Sequence, residues 1–150
     1  MTSAVSIRLL ISADFDAWAS LWKGYQQFYK VDLAPAVSER TFARLLDAAE
    51  PMHCALAVQD GRPVGLVHFI FHRSTWTEGD YCYLQDLFVD PACRGGGQGR
   101  KLIEHVYDTA RKQGASRVYW LTHETNTDAM KLYDKVAERS GFVQYRRAMP

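Results

Sequence analysis

"YLQDLFVDPACRGGGQGRKL", residues 83–102, decides how the rest of the chain is read. It opens as an apolar, aromatic run typical of a buried strand, then places four glycines among the five residues 95–99, between Arg94 and Arg100. Leu102, Ile103, Val106, Tyr107 and Ala110 follow at helical spacing and mark one apolar face. A slack linker belongs between domains, whereas this stretch joins a strand to an amphipathic helix inside one small unit. A helix start offers N–H groups without intrahelical acceptors and the positive end of a dipole, so it attracts phosphate. Glycines let a ligand approach the backbone, and Arg94 and Arg100 can add charge-assisted contacts.

Common phosphate loops do not fit this register. A P-loop would carry Gly-Lys-Ser/Thr, but the fifth residue after Gly95 is Arg100; GxGxxG fails because Arg100 or Leu102 stands where its last glycine belongs.

Reading upstream, residues 6–11 suggest a short strand, and Phe15, Trp18, Trp22, Tyr25 and Tyr29 a strongly aromatic helix behind capping candidates Ser12 and Asp14. Phe42, Leu45, Leu46 and Ala49 indicate a second helix, with Ser38 as its cap and Pro51 beyond its end. Two apolar runs then flank Asp60-Gly61, a dipeptide suited to a tight hairpin turn. Downstream, the helix from Leu102 should stop near Gly114, "SRVYWLT" reads as a strand, and Ala129, Leu132, Val136 and Ala137 as a last helix stopped by Gly141, before a closing strand "FVQYRR". The order βααβββαβαβ implies a mixed α/β sheet with α+β character in a single domain over residues 1–150. Its sheet is mostly antiparallel, with one parallel strand–helix–strand crossover and helices on both faces.

Composition excludes several functions. With 18 basic and 17 acidic residues the formal charge is +1, and no basic run creates a field for nucleic acid. No apolar stretch reaches the length of a membrane span, and the first residues lack a signal-peptide pattern. Three cysteines, with no CxxC pair, suit reduced thiols in a cytoplasmic protein. His68 and His72 lie four residues apart on one strand, about 13 Å, too far for one metal ion, so no metal site is expected. No serine or cysteine has a visible base partner, so covalent catalysis is not expected.

Arg-x-x-Gly-x-Gly, supplied by Arg94, Gly97 and Gly99 directly after "YLQDLFVDP", resembles the pyrophosphate loop of the GNAT superfamily of acetyl-CoA-dependent N-acetyltransferases. A second match follows in order: "NTDAMKLY" is similar to the family's Asn-x-x-Ala-x-x-Leu-Tyr segment, through Asn126, Ala129, Leu132 and Tyr133. The resemblance is strongest from residue 83 to 145. It looks most like the branch that includes fungal enzymes acetylating histones, polyamines or D-amino acids. The family's Gly-Phe pair normally follows the tyrosine by four residues, whereas Gly141 follows Tyr133 by eight, so the last helix or its exit is longer here.

The resemblance implies an acyltransferase that moves acetyl from acetyl-CoA to a primary amine of a small molecule, of polyamine or amino-acid type. The pantetheine arm would run along the strand at Leu87, Phe88 and Val89, and a backbone N–H near Phe88 or Val89 would face the oxyanion. Amides and side chains of Arg94, Gly95, Gly96, Gly97, Gln98, Gly99 and Arg100 would hold the pyrophosphate, and Asn126 would contact the co-substrate. Tyr133 would protonate the departing thiolate. The ammonium must lose a proton before attack, and Asp86, a carboxylate in an apolar strand, is the candidate base, with solvent exposure as its ordinary alternative. Trp22, Tyr25 and Tyr29 could hold an ammonium by cation–π attraction or simply fill the core; His123 and Glu124 are further substrate-site candidates. A protein lysine or N-terminal acetyltransferase, a non-catalytic acetyl-CoA-binding module and a nucleotide-binding protein are the competing readings. An edge strand over "FVQYRR" is compatible with a homodimer.

Overall fold

Left-handed backbone at Asp60 (φ 54°) and Gly61 (φ 73°) gives the tight two-residue turn that the Asp-Gly pair favours, and it sets the register of the central hairpin. The computed structural model describes residues 4–150. Five strands, β1 (Val5–Leu9), β2 (Met52–Gln59), β3 (Arg62–His72), β4 (Tyr81–Val89) and β5 (Arg117–Tyr119), lie side by side in sequence order. The junctions from β1 to β4 are antiparallel, and β4 with β5 is parallel. The helix α3 (Gln98–Lys112) makes the crossover between them.

Helices cover both faces, as the apolar periodicity implies. On one side α1 (Phe15–Phe28) and α2 (Pro35–Leu46) bury Trp18, Leu21, Trp22, Phe42 and Leu45 against Leu56, Leu66 and Phe88. On the other, α3 presses Leu102, Ile103, Val106 and Ala110 onto Ala55, Val67, Phe69 and Leu84, and α4 (Thr127–Val136) adds Leu132, Tyr133 and Val136. Full burial of an aliphatic or aromatic side chain stabilises by about 1.5–3 kcal/mol, so these stripes dominate the fold's cohesion. No helix among the described residues is long and apolar enough to cross a membrane.

Several boundaries differ from the sequence expectation. Ser38 lies within α2, not at its cap: the helix begins at Pro35, whose fixed φ suits a first helical position, and it ends at Leu46, leaving Ala49 in a turn. Asp14 sits at the N-cap position of α1 without capping it, because its carboxylate accepts two hydrogen bonds from Arg8 (2.8 and 2.9 Å) and one from the Ile11 N–H (2.9 Å). The Arg8 hydrogen bonds, then the Ile11 amide, hold that carboxyl below its ordinary range against the opposing effect of burial.

The closing strand does not form. Residues 137–150 contain neither helix nor strand, and Phe142, Val143, Tyr145 and Met149 are 79–94% exposed. Apolar and aromatic composition creates a strand only where a partner edge and a face to bury are available. Here α4 stops at Val136, so the additional residues between Tyr133 and Gly141 lengthen the exit, not the helix.

Candidate active site

A one-residue bulge decides which way the site residues point. His68 faces Asp86 across β3 and β4, yet Phe69 faces Leu84, so Gln85 is the extra residue. Strict alternation would send Leu84 and Asp86 to the same face. With the bulge, Cys82, Leu84, Leu87 and Val89 pack toward α3, while Asp86 and Phe88 turn toward α1. Asp86 is therefore buried, at 9% exposure, and not on the solvent face.

Buried carboxylates require partners, and Asp86 has them. Its Oδ2 lies 2.9 Å from His68 Nδ1, and His68 Nε2 accepts the indole N–H of Trp18 at 3.0 Å. Burial, then the Asp86 charge and a hydrogen bond to its side chain, push the Tyr25 hydroxyl far above its ordinary pKa. Tyr29 and Tyr83 are raised by burial first and by the same charge second. Trp22 is buried, stacked on Tyr25 at 5.2 Å and edge-on to His68 at 4.9 Å, and its indole N–H has no acceptor among the described residues. A cavity of about 140 Å³ opens here, lined in part by Trp22, Thr41, His53, His68, Gln85 and Asp86. At ~30 Å³ per water it has room for a small polar group.

The opposite edge of β4 is made of backbone. β5 pairs only with Tyr81, Cys82 and Tyr83, so beyond Tyr83 the two parallel strands part, and that edge of β4 has no strand partner among the described residues. The Asp90 N–H donates to Val64 O (2.8 Å), toward β3. Period-two alternation sends the Phe88 N–H the same way and turns the Leu87 and Val89 amides to the open edge. Of the two amides named from sequence, Val89 is therefore the one facing outward. The Phe88 ring packs inward against α1, close enough that a Cβ on Gly24 would meet it at 2.9 Å.

That edge leads into the glycine loop. Gly95 (φ 100°) and Gly97 (φ 77°), the latter the N-cap of α3, occupy backbone regions that side chains disfavour. Two expectations are corrected here. Gln98 is 2% exposed and its side chain points inward, where Nε2 donates to Cys93 O (2.6 Å) and Gln59 Oε1 (3.2 Å) and Oε1 accepts from Gly96 N (3.0 Å). Gln98 thus braces the loop with its side chain and presents only its amide, and the Gly96 amide is already committed. The amides of Gly97, Gln98, Gly99 and Arg100 remain the unpaired first turn of a helix, since the first i to i−4 bond runs from Lys101 N to Gly97 O. Arg94 folds back to Val89 O (3.0 Å), and Arg100 pairs with Glu104 (3.0 Å) on the surface.

α4 brings the second motif alongside. A Cβ on Gly99 would lie 3.5 Å from Leu132, so the loop and α4 touch. Tyr133 is half-buried, edge-on to Trp120 at 5.4 Å, and its hydroxyl is raised by burial and by nearby Tyr29, which in turn feels Asp86. Asn126 is the N-cap residue of α4 without a capping bond, its amide directed at Thr122 Oγ1 (3.2 Å). His123 and Glu124 are exposed, His123 bonding Thr125, and no contact joins them to the Asp86 cluster. Trp18, His68 and Tyr83 belong to that cluster although sequence reasoning did not select them. The one available signal was a histidine and an aspartate in neighbouring apolar strands, and the long 73–80 connection leaves their register open.

Among the described residues no group of three His, Cys, Asp or Glu side chains could hold a metal. All three cysteines are free, and burial pushes the Cys82 thiol up to about 12, which suits packing and not nucleophilic attack.

A sequence model described as the Acetyltransferase (GNAT) family matches residues 17–137. The chain is 39% identical over 149 residues to the D-amino-acid N-acetyltransferase HPA3 of Saccharomyces cerevisiae, covering 95% of this chain and 92% of that protein. It is 33% identical over 85 residues to a thialysine N-epsilon-acetyltransferase of Caenorhabditis elegans, covering 57% and 52% respectively. The fold matches the crystal structure of a ribosomal-protein-alanine N-acetyltransferase from Brucella melitensis biovar Abortus 2308 with a TM-score of 0.83 and 25% identity, over 97% of this chain and 100% of that one.

Proposed function

Because the chain belongs to the GNAT acetyltransferase family, we propose that it transfers acetyl from acetyl-CoA to the primary amine of a small molecule, with free amino acids the leading class. The observation that carries this reading is the junction of an open β4 edge, an amide-lined glycine loop and a buried carboxylate on one strand. The full-length similarity to a D-amino-acid N-acetyltransferase supports the amino-acid class.

The residues fit acetyl-CoA. The amides of Gly97, Gln98, Gly99 and Arg100 at the positive end of α3, with Gly95 and the Arg94 and Arg100 guanidiniums beside them, would hold the pyrophosphate. Leu87 and Val89 offer backbone groups to an amide-bearing arm. Acetyl-CoA supplies the thioester whose C–S bond breaks as the amine nitrogen bonds to the carbonyl carbon. The Val89 N–H faces the edge where carbonyl charge would develop. Asp86 accepts the proton that converts ammonium to free amine; a second proton passes from nitrogen to solvent as the amide forms. Tyr133 gives its hydroxyl proton to the departing thiolate and recovers one from solvent. Its raised pKa keeps that proton in place at neutral pH. Trp22, Tyr25 and Tyr29 wall the ammonium, while His123 and Glu124, exposed and apart from that cluster, are left without a role in it.

The test is thiol release from acetyl-CoA against D- and L-amino acids, polyamines, aminoglycosides and a lysine peptide. Turnover confined to free amino acids is expected; turnover of the peptide alone would replace this reading with protein acetylation. We also propose one domain over residues 1–150, a cytoplasmic setting supported by three free thiols, and a homodimer. The dimer is supported by the exposed Phe142, Val143, Tyr145 and Met149 on the C-terminal arm and by the short β5 edge, to which a second copy's arm could add a strand. Sedimentation should give a dimer that loses its partner when residues 141–150 are deleted.

A further inference from the structure

We propose that His68, oriented by Trp18, is a positioning residue that fixes the Asp86 carboxylate for the incoming amine. This rests on the reading that the amine gives up its proton to Asp86.

An indole N–H can only donate. Its 3.0 Å contact with His68 Nε2 makes that nitrogen an acceptor, so the ring proton sits on Nδ1, 2.9 Å from Asp86 Oδ2. An imidazolium would carry a proton on both nitrogens and would set an Nε2–H against the Trp18 N–H. The chain of hydrogen bonds therefore has one direction, from Trp18 through His68 to Asp86, with every donor aimed at the carboxylate. It holds Oδ2 in place without supplying a cation, and the carboxylate keeps the negative charge that attracts an ammonium. An arginine or lysine in that place would fix the carboxylate equally well and cancel its charge.

The placement argues for more than core packing. Trp18, His68 and Asp86 are 0%, 5% and 9% exposed, and a buried polar network of this kind is costlier than an apolar filling of the same volume. It ends on the residue that the Gln85 bulge turns toward α1, and it borders the cavity into which the amine would reach. A core-filling histidine would also need partners for both ring nitrogens; what is particular here is that one of them is the carboxylate bordering the cavity.

The test uses the full chain with an amine substrate identified by the panel. His68→Leu removes both hydrogen bonds, whereas His68→Gln can accept from Trp18 through Oε1 and donate to Asp86 through Nε2. His68→Leu should lower kcat/KM for the amine by about 10²-fold, the cost of a misplaced reacting group, with KM for acetyl-CoA unchanged and His68→Gln recovering most of the loss. Nitrogen-15 spectra of the wild-type imidazole should show Nδ1 protonated and Nε2 bare. A protonated Nε2, no recovery by glutamine, or a folded His68→Leu protein with full amine turnover would each overturn the proposal. In that last case loss of activity in Asp86→Asn would leave Asp86 standing as the base; full activity in Asp86→Asn would remove both. If His68→Leu does not fold, Trp18→Phe, which deletes the N–H donor together with part of a buried ring, carries the same kinetic expectation, and unaltered amine kinetics in that variant would be equally fatal.

Discussion

Along its edge, where β5 departs, β4 offers backbone: outward amides at Leu87 and Val89, then a glycine loop running into the start of α3. Across its face toward α1 it offers side chains: Asp86, backed by His68 and Trp18 and surrounded by Tyr25, Tyr29 and Tyr83. The first half offers an anion groups that every residue possesses, and so depends on glycine where the backbone is left-handed or crowded. The second depends on particular side chains in one register, because moving a carboxylate by one strand position reverses its face. In the proposed reading, binding of the common co-substrate and recognition of the particular amine are thereby separated on a single strand.

Asp86→Asn tests the separation most severely. It should reduce kcat by about 10³-fold, within the range for loss of general base catalysis, while calorimetry finds acetyl-CoA affinity unchanged. A matching loss of affinity would show that the two halves are one site. Tyr133→Phe, in α4 next to Leu132, should reduce kcat by about 10²-fold without altering KM for the amine. Since burial raises its hydroxyl above the ordinary ~10, proton donation by Tyr133 should persist through pH 10 and fail only above it. A descending limb below that pH that vanishes in the phenylalanine variant would contradict this assignment.

Gly97→Ala confines a perturbation to the backbone half. Forcing a side chain to φ 77° costs about 1–2 kcal/mol, and acetyl-CoA affinity should fall by about tenfold while Tyr25, His68 and Asp86 resonances stay in place. Movement of those resonances would show coupling across β4. The smallest effect is expected outside the site, at Asp14→Asn, which removes the negative charge and one of the two acceptor oxygens that Arg8 and Ile11 share and should lower unfolding stability by about 1 kcal/mol at neutral pH. Because the folded carboxyl titrates below its unfolded value, near ~3.9, this contribution is fully present above that value. The difference between variant and wild type in denaturant should therefore close as pH falls below ~4 through the folded pKa.

The glycine loop, the crossover and the helix faces were legible because they depend on local rules: apolar periods, positive-φ glycines and unpaired amides at a helix start. The Gly96 amide was not, since its capture by Gln98 needs a buried side chain folded back across the loop. The C-terminal arm misled for the opposite reason. "FVQYRR" has strand composition, but composition supplies no partner edge, and residues 137–150 leave the sheet unpaired.

Sequence by itself determined that this chain forms a mixed α/β sheet with a glycine-rich loop between β4 and α3, since those features follow from spacing within a few residues of one another. Tertiary structure alone decided that Asp86 is buried, that its partner is His68, and that Trp18 orients that partner. Residues 50 apart in the chain, Trp18 and His68, meet only after helix and sheet have packed. The bulge that turns Asp86 inward is a property of pairing between β3 and β4, which neither strand encodes alone.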